Sequence, residues 1–176
     1  MAGIDESREF IPVGLAVLTV SDTRTEADDE SGRTLIERAE AAGHKIVARK
    51  VVKDDVPTIK AAVTEWVDHP EIDVIITNGG TGITGRDVTP EALAPLFDKP
   101  IEGFGELFRL ISYQKVGTST MQSRALGGLA KGTYIFALPG SPSACRDGWD
   151  EILKFQLDSR HGPCNLVELM PRLMER

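Results

Sequence analysis

The chain has 176 residues, 41% of them hydrophobic and 27% charged, which suits one soluble core, because two domains of this size would each have a thin interior. Lys+Arg of 20 against Asp+Glu of 27 gives a net charge of −7, and with no basic run this argues against nucleic acid as a partner. No apolar run approaches the roughly 20 residues that a membrane-spanning helix needs, and residues 1–10 lack the apolar stretch of a secretory signal.

These features lead us to expect a cytoplasmic protein with no membrane partner, an N-terminal tail over 1–10 and a single domain over 11–176. Cys145 and Cys164 are too few and too isolated for a disulfide framework or a zinc site. Val13 to Val20 is a nearly continuous apolar run rich in β-branched residues, as in a strand buried on both faces, and it ends at Ser21-Asp22-Thr23. Ser31 to Ala42 places Leu35, Ile36, Ala39 and Ala42 at helical spacing, with Gly43 as its C-terminal cap. His44 to Val52 reads as a second strand, near an edge because Arg49 and Lys50 lie within it.

Asp54-Asp55 precede Ile59, Ala62, Val63, Trp66 and Val67, whose spacing describes one helical stripe. An aspartate before a helix is ordinarily an N-cap, but capping needs only one of the two. Asp73 to Thr77 is a further buried strand, broken by Asn78-Gly79-Gly80-Thr81-Gly82. Thr89-Pro90-Glu91 opens a helix, with a hydroxyl to cap it and proline at its first position. From Ile101 to Leu129 the pattern is less regular. Phe104 to Arg109 opens a short helix there, and Gly117 to Arg124 reads as a loop. Thr133 to Leu138 is a strand stopped by Pro139-Gly140-Ser141-Pro142. The last helix, Ser143 to Leu157, buries Cys145, Trp149, Ile152, Leu153 and Gln156 or Leu157. The tail from Asp158 packs over the surface or serves a subunit contact. Alternating strands and helices imply an α/β fold, a mostly parallel sheet with helices on both faces.

Open α/β sheets bind ligands outside the carboxyl ends of their strands, so three turns hold the candidate chemistry: Ser21-Asp22-Thr23, Gly79 to Gly82 with Arg86-Asp87, and Pro139-Gly140-Ser141. Gly80-x-Gly82-x-x-Gly85 imitates a dinucleotide fingerprint and Gly80 to Asp87 a Walker A loop, but both fail. The following helix waits until Thr89-Pro90, and Arg86 and Asp87 replace the lysine and the hydroxyl. What remains is a run of backbone N–H groups able to cradle an anion, or a plain glycine turn. Asp87 beside phosphate donors makes sense chiefly as a metal ligand; read alone, Arg86-Asp87 is more often a solvated pair on a loop. Pro139-Gly140-Ser141 either faces a ligand through a helix N-terminus or simply turns the chain. Gly105-Glu106, Arg109, Ser123 and Arg124 offer anion and ring-edge contacts, although each taken singly reads as a surface residue. Trp66 and Trp149 lie on helical stripes and read as core.

Taken together, Thr19-Val20-Ser21-Asp22-Thr23, Asn78-Gly79-Gly80-Thr81-Gly82, Arg86-Asp87-Val88-Thr89-Pro90-Glu91-Ala92, Gly103-Phe104-Gly105-Glu106 and Leu138-Pro139-Gly140-Ser141 resemble the MoaB/MogA family, which includes the gephyrin G domain. The likeness spans Pro12 to Cys164, with Ser123-Arg124 and Pro163-Cys164-Asn165 closest to the bacterial MoaB branch. Asn78 stands where many relatives have threonine. The resemblance implies a three-layer αβα sandwich and assembly as a homo-trimer or hexamer. It also implies transfer of AMP from ATP to molybdopterin with release of pyrophosphate. In that reading Mg²⁺ is held by Asp87 and Asp54, and Arg86 joins them in catalysis. Ser21, Asp22, Thr23, Gly79, Gly80, Thr81, Gly82, Gly105, Glu106, Ser123, Arg124, Pro139, Gly140 and Ser141 then contact pterin or nucleotide. A non-catalytic oligomer that binds pterin or nucleotide is the alternative from another class, and a nucleotide hydrolase is a third. Independently of the resemblance, Phe104, Leu107, Phe108, Leu110, Ile111 and Tyr113 exceed what one small helix can bury, which points to an oligomer.

Overall fold

The computed structural model describes residues 2–175, so Met1 and Arg176, the outermost residues of the two expected tails, lie outside it. Among the described residues eight strands run in chain order as β1 (Gly3–Ile4), β2 (Gly14–Val20), β3 (Lys45–Val52), β4 (Val74–Asn78), β5 (Lys99–Pro100), β6 (Leu126–Ala130), β7 (Thr133–Leu138) and β8 (His161–Gly162). The principal helices are α1 (Glu30–Ala41), α2 (Val56–Val67), α3 (Thr89–Leu93), α4 (Glu102–Val116) and α5 (Pro142–Gly148). The last continues through a π-helical turn, Trp149–Leu153, into α6 (Lys154–Gln156), and α7 (Leu166–Leu169) follows.

Six strands form one sheet in the order β3-β2-β4-β7-β6-β5. The first four are mutually parallel, and β6 and β5 add an antiparallel margin. Strand β3 lies at the edge, as its Arg49 and Lys50 lead one to expect. Side chains alternate across the sheet, so each central strand feeds two cores. Leu15 and Val17 of β2, Val74 and Ile76 of β4, and Tyr134, Phe136 and Leu138 of β7 pack with Leu35, Phe104, Phe108, Cys145 and Trp149. On the other face Ala16, Leu18, Ile75, Ile135 and Ala137 pack with Ile59, Val63, Trp66 and Leu93. This double burial explains why the central strands read as continuous apolar runs, and it gives the three-layer αβα sandwich. Each fully buried leucine or isoleucine contributes about 1.5–3 kcal/mol by leaving water.

Asp29 caps α1 by accepting from the Gly32 amide, and Gly43, at φ +94°, ends that helical segment in the left-handed region that glycine tolerates. Asp55 caps α2 by accepting from the Thr58 amide, which leaves Asp54 free of that duty. Both tryptophans are core, and at the end of the last helical stretch it is Leu157, not Gln156, that is buried.

Three local expectations need correction. Thr89 does not cap α3, because Val88 holds the cap position without a side-chain bond; the Thr89 hydroxyl instead donates to the Gly79 carbonyl at 2.8 Å. The short helix expected near Phe104 to Arg109 is the 15-residue α4. The loop expected over Gly117 to Arg124 is largely a 3₁₀ turn, Gly117–Gln122. The adjoining strand β6 escapes an apolar pattern because its centre must be glycine: a Cβ at Gly127 would meet the Phe136 ring at 2.9 Å, and one at Gly128 the Phe97 ring at 2.3 Å. The N-terminal residues are tied down as well, since β1 pairs antiparallel with β8 and Ile11 N donates to Ser159 Oγ at 2.8 Å. No helix among the described residues is long and apolar enough to cross a membrane.

Candidate functional site at the strand carboxyl ends

The carboxyl ends of β2, β4 and β7 open together into a polar cavity of about 370 Å³. Its walls include Ser21, Thr23, Gly79 to Gly82, Asp54, Asp87, Pro139 and Gly140, so the three turns singled out in the sequence converge. Adjacent parallel strands deliver their following turns to the same sheet edge, which is why residues far apart in sequence meet here.

The glycines are required by close approach and by backbone shape. At Gly79, φ is +97° and a Cβ would lie 2.2 Å from the Val20 carbonyl oxygen. At Gly80, φ is +67° and a Cβ would lie 2.4 Å from Thr89 Oγ1 and 3.2 Å from Asp54 Oδ1. The bond from Thr89 to the Gly79 carbonyl, together with Thr89 N donating to the Gly80 carbonyl at 3.0 Å, pins this turn against the start of α3.

The three carboxylates here differ in their bonding. Asp22 accepts the Asp54 amide at 3.1 Å and pairs with Arg86; the amide, then the guanidinium, hold its carboxyl below the ordinary range. Asp87 Oδ2 accepts both the Thr84 amide at 2.9 Å and the Thr84 hydroxyl at 2.7 Å. Burial pushes the Asp87 carboxyl upward, but the Thr84 hydroxyl and amide and the Gly82 amide outweigh it and leave it lowered. Asp54 is pushed the other way, first by burial and then by the charges of Asp22 and Asp87. A carboxylate whose neighbours oppose its ionisation is one that a cation would favour. Asp54 and Asp87 supply hard oxygen donors, which fit a divalent cation such as Mg²⁺ that completes its shell with phosphate and water oxygens. No cluster of three or more His, Cys, Asp or Glu that could hold a metal unaided occurs among the described residues.

Other candidate residues fall elsewhere. Arg124 is a structural clamp, not a free anion donor: Nε donates to the Gly82 carbonyl at 2.7 Å, Nη2 donates to the Asp87 carbonyl at 2.7 Å, and Nη1 pairs with Glu91. Gly105 and Glu106 line a separate cavity of about 660 Å³ beside Arg109, so this chain does not bring them to the strand ends. Gly105 is small for a reason, since a Cβ there would lie 2.4 Å from the Ala125 carbonyl oxygen. Ser123 and Ser141 border a third cavity of about 190 Å³, which shares Pro139 with the main one; Ser141 Oγ also caps α5 through the Ala144 amide.

Sequence reasoning passed over Arg24 and the strand residues Thr19 and Asn78, all of which line the main cavity. Arg24 Nη1 donates to Ser31 Oγ at 3.0 Å and to the Gly140 carbonyl at 3.2 Å, tying the turn after β2 to the turn after β7. Its position only one residue beyond Ser21-Asp22-Thr23 was the available signal.

Residues 16–159 match the family described as "probable molybdopterin binding domain". The chain is 50% identical over 159 residues to molybdenum cofactor biosynthesis protein B of Escherichia coli K12, covering 90% of this chain and 94% of that protein. A crystal structure of a molybdenum cofactor biosynthesis protein B superposes with a TM-score of 0.83 at 46% identity, over 85% of this chain and 94% of the other. The tungsten cofactor synthesizing protein MoaB from Pyrococcus furiosus superposes with a TM-score of 0.74 at 39% identity, over 81% and 91% respectively.

Proposed function

Since this chain belongs to the MoaB/MogA family of molybdopterin-binding proteins, we propose that it serves molybdenum cofactor biosynthesis by binding molybdopterin and adenylylating it with ATP. The observation that carries the reading is the pairing, on one cavity wall, of the glycine-rich turn Gly79 to Gly82 with two carboxylates of opposite disposition, Asp54 and Asp87. Amides suit phosphate oxygens, and carboxylates beside them are tolerable when a cation lies between.

In the proposed reaction a terminal phosphate oxygen of molybdopterin attacks the α-phosphorus of ATP in line. The bond from that phosphorus to the bridging oxygen breaks, and the electron pair leaves with pyrophosphate. The chain's own work is positioning: the Gly80 and Thr81 amides and Arg24 receive phosphate oxygens, and Pro139 and Gly140 border the acceptor side. Arg86, an exposed side chain paired with Asp22, would exchange that partner for the phosphates. Asp54 and Asp87 would hold Mg²⁺, which when bound offsets the charge that develops on the phosphoryl oxygens.

A second reading, a non-catalytic oligomer that holds the pterin, is favoured by one observation: Asp87 and Arg86 are each satisfied by internal partners, Thr84 and Asp22. Purified protein incubated with Mg²⁺, ATP and molybdopterin decides between them. Formation of pyrophosphate and adenylylated pterin supports the transferase, whereas pterin binding without either product supports the holder. Assembly as a homo-trimer or hexamer belongs to the same proposal. It is supported by α4, which buries Phe104 and Phe108 but leaves Leu107, Leu110, Tyr113 and Val116 exposed.

A further inference from the structure

Among the described residues Arg24 is the one basic side chain that lines the main cavity, beside the carboxylates Asp54 and Asp87. Its Nη1 donates to Ser31 Oγ at 3.0 Å and to the Gly140 carbonyl at 3.2 Å, and the Ser31 hydroxyl donates to that same carbonyl at 2.7 Å. Ser31 is fully buried in the first turn of α1 and is not part of the cavity wall. Because its proton goes to Gly140, Ser31 meets the guanidinium with a lone pair, and the three groups close a triangle. Both partners of Arg24 are neutral, so the guanidinium is held at one nitrogen without losing its charge. Arg86, by contrast, lies outside the wall, exposed and paired with Asp22. The exposed carboxyl of Asp28 takes its bonds from Thr25, and the charge of Arg24 is the least of the influences on it. Nε and Nη2 of Arg24 bond no other group among the described residues and are not buried. These two nitrogens form the planar edge that takes two oxygens of one phosphate.

We propose that Ser31 is a positioning residue for phosphate binding: it holds Arg24 so that the Nε–Nη2 edge takes two oxygens of one phosphate group, of the nucleotide or of the pterin. Ser31 touches no ligand and acts through Arg24. The inference rests on the reading that the cavity takes phosphate compounds. A guanidinium already fixed loses little freedom when the phosphate arrives, so it binds more tightly than a mobile side chain of the same charge. The triangle also ties the clamp to the rest of the site. A Cβ at Gly140 would lie 3.1 Å from Gly79 Cα, so the carbonyl that anchors Arg24 belongs to a turn packed against the glycine-rich one. A phosphate held by Arg24 is thereby set in register with both turns.

The test is a double-mutant cycle read as dissociation constants for ATP and for molybdopterin, by calorimetry on the whole chain with Mg²⁺ present. Arg24→Ala should weaken at least one of the two ligands about 10-fold or more, and the ligand affected names the source of the phosphate. Arg24→Lys keeps the charge without the fork and should remain at least about threefold weaker than the unaltered protein. Ser31→Ala should weaken the same ligand about three- to tenfold when Arg24 is present, yet change it less than about twofold in the Arg24→Ala background. A serine that only supports the fold weakens binding by one factor in both backgrounds, and that result overturns the proposal. Unchanged affinity in Ser31→Ala, or in Arg24→Ala for both ligands, overturns it too and leaves the functional reading standing. If the unaltered protein binds neither ATP nor molybdopterin, both readings fall. Should Ser31→Ala fail to fold, Arg24→Lys decides: full affinity there means that no held fork is needed, and the proposal is lost.

Discussion

Replacing Asp87 by asparagine separates a metal-holding carboxylate from one that only shapes its loop. In the structure Asp87 Oδ2 accepts two bonds from Thr84, at 2.9 Å and 2.7 Å. Asparagine can keep an acceptor oxygen at that point, so both bonds survive without their charge assistance. A charged acceptor is worth about 1.5–3 kcal/mol and a neutral one about 0.5–1.5 kcal/mol, and for this solvent-accessible turn the combined loss should be about 1 kcal/mol. In a domain of this size that lowers Tm by roughly 2–4 °C. Thr84→Ala deletes the 2.7 Å bond from the other side and should cost about the same. Turnover should diverge. Asp87→Asn should fall about 10²-fold, near 2.7 kcal/mol of transition-state stabilisation, whereas Thr84→Ala should stay within about fivefold of the unaltered protein. Pterin affinity should hold in both variants, since pterin binding is assigned to other groups. Steady-state pyrophosphate release and calorimetric melting measure the two effects. Equal loss of turnover in both variants would mean that Asp87 acts only by shaping the loop, and normal turnover in Asp87→Asn would remove it from the chemistry.

Asp54→Asn should also lose turnover, but with the opposite effect on stability. The folded chain raises the Asp54 carboxyl above 3.8, so its ionisation opposes folding once pH climbs past that value. The variant should melt at or above the unaltered protein at pH 7, with the advantage closing as pH falls toward 3.8; a lower melting temperature at pH 7 would refute this. Asp22, Glu91 and Asp158 are shifted the other way by bonds to Asp54 N, Arg124 and Arg160, and they stabilise the fold at neutral pH. Wild-type stability should therefore decline as pH drops below 4.5 and on past 3.8, followed by circular dichroism; a flat profile across that window would contradict it. Light scattering should give a mass well above 19.1 kDa, and Leu110→Glu should shift it toward the monomer with helicity intact; a 19.1 kDa monomer at micromolar concentration would remove the oligomer.

The central strands were legible because burial on both faces leaves no room for polar residues, so β2, β4 and β7 appear as unbroken apolar runs. Strand β6 was not, because Phe97 and Phe136 occupy the space its side chains would need and glycine carries no hydropathy signal. Helix α4 was blurred for another reason: Phe104 and Phe108 face the core while Leu107, Leu110 and Tyr113 are exposed, so two apolar faces overlay one helical period. At the site, residues directly after strands could be found because the fold class fixes where strands end. What stayed hidden depends on contacts between elements. Arg124 reads as an anion donor until Gly82, Asp87 and Glu91 are seen to occupy it. Likewise the chain Arg49, Asp29, Thr19, Asn78 joins β3, the start of α1, β2 and β4, and no local spacing announces it.

Transfer of an adenylyl group to the pterin is decided by following the α-phosphorus. Protein, Mg²⁺ and molybdopterin are incubated with ATP labelled at that position, and the products are separated. An adenylyltransferase places label on the pterin in one-to-one ratio with pyrophosphate formed, and forms no pyrophosphate when molybdopterin is omitted. Label that remains in ATP while the protein is saturated with pterin, or that leaves as free AMP or ADP without any pterin, would contradict it.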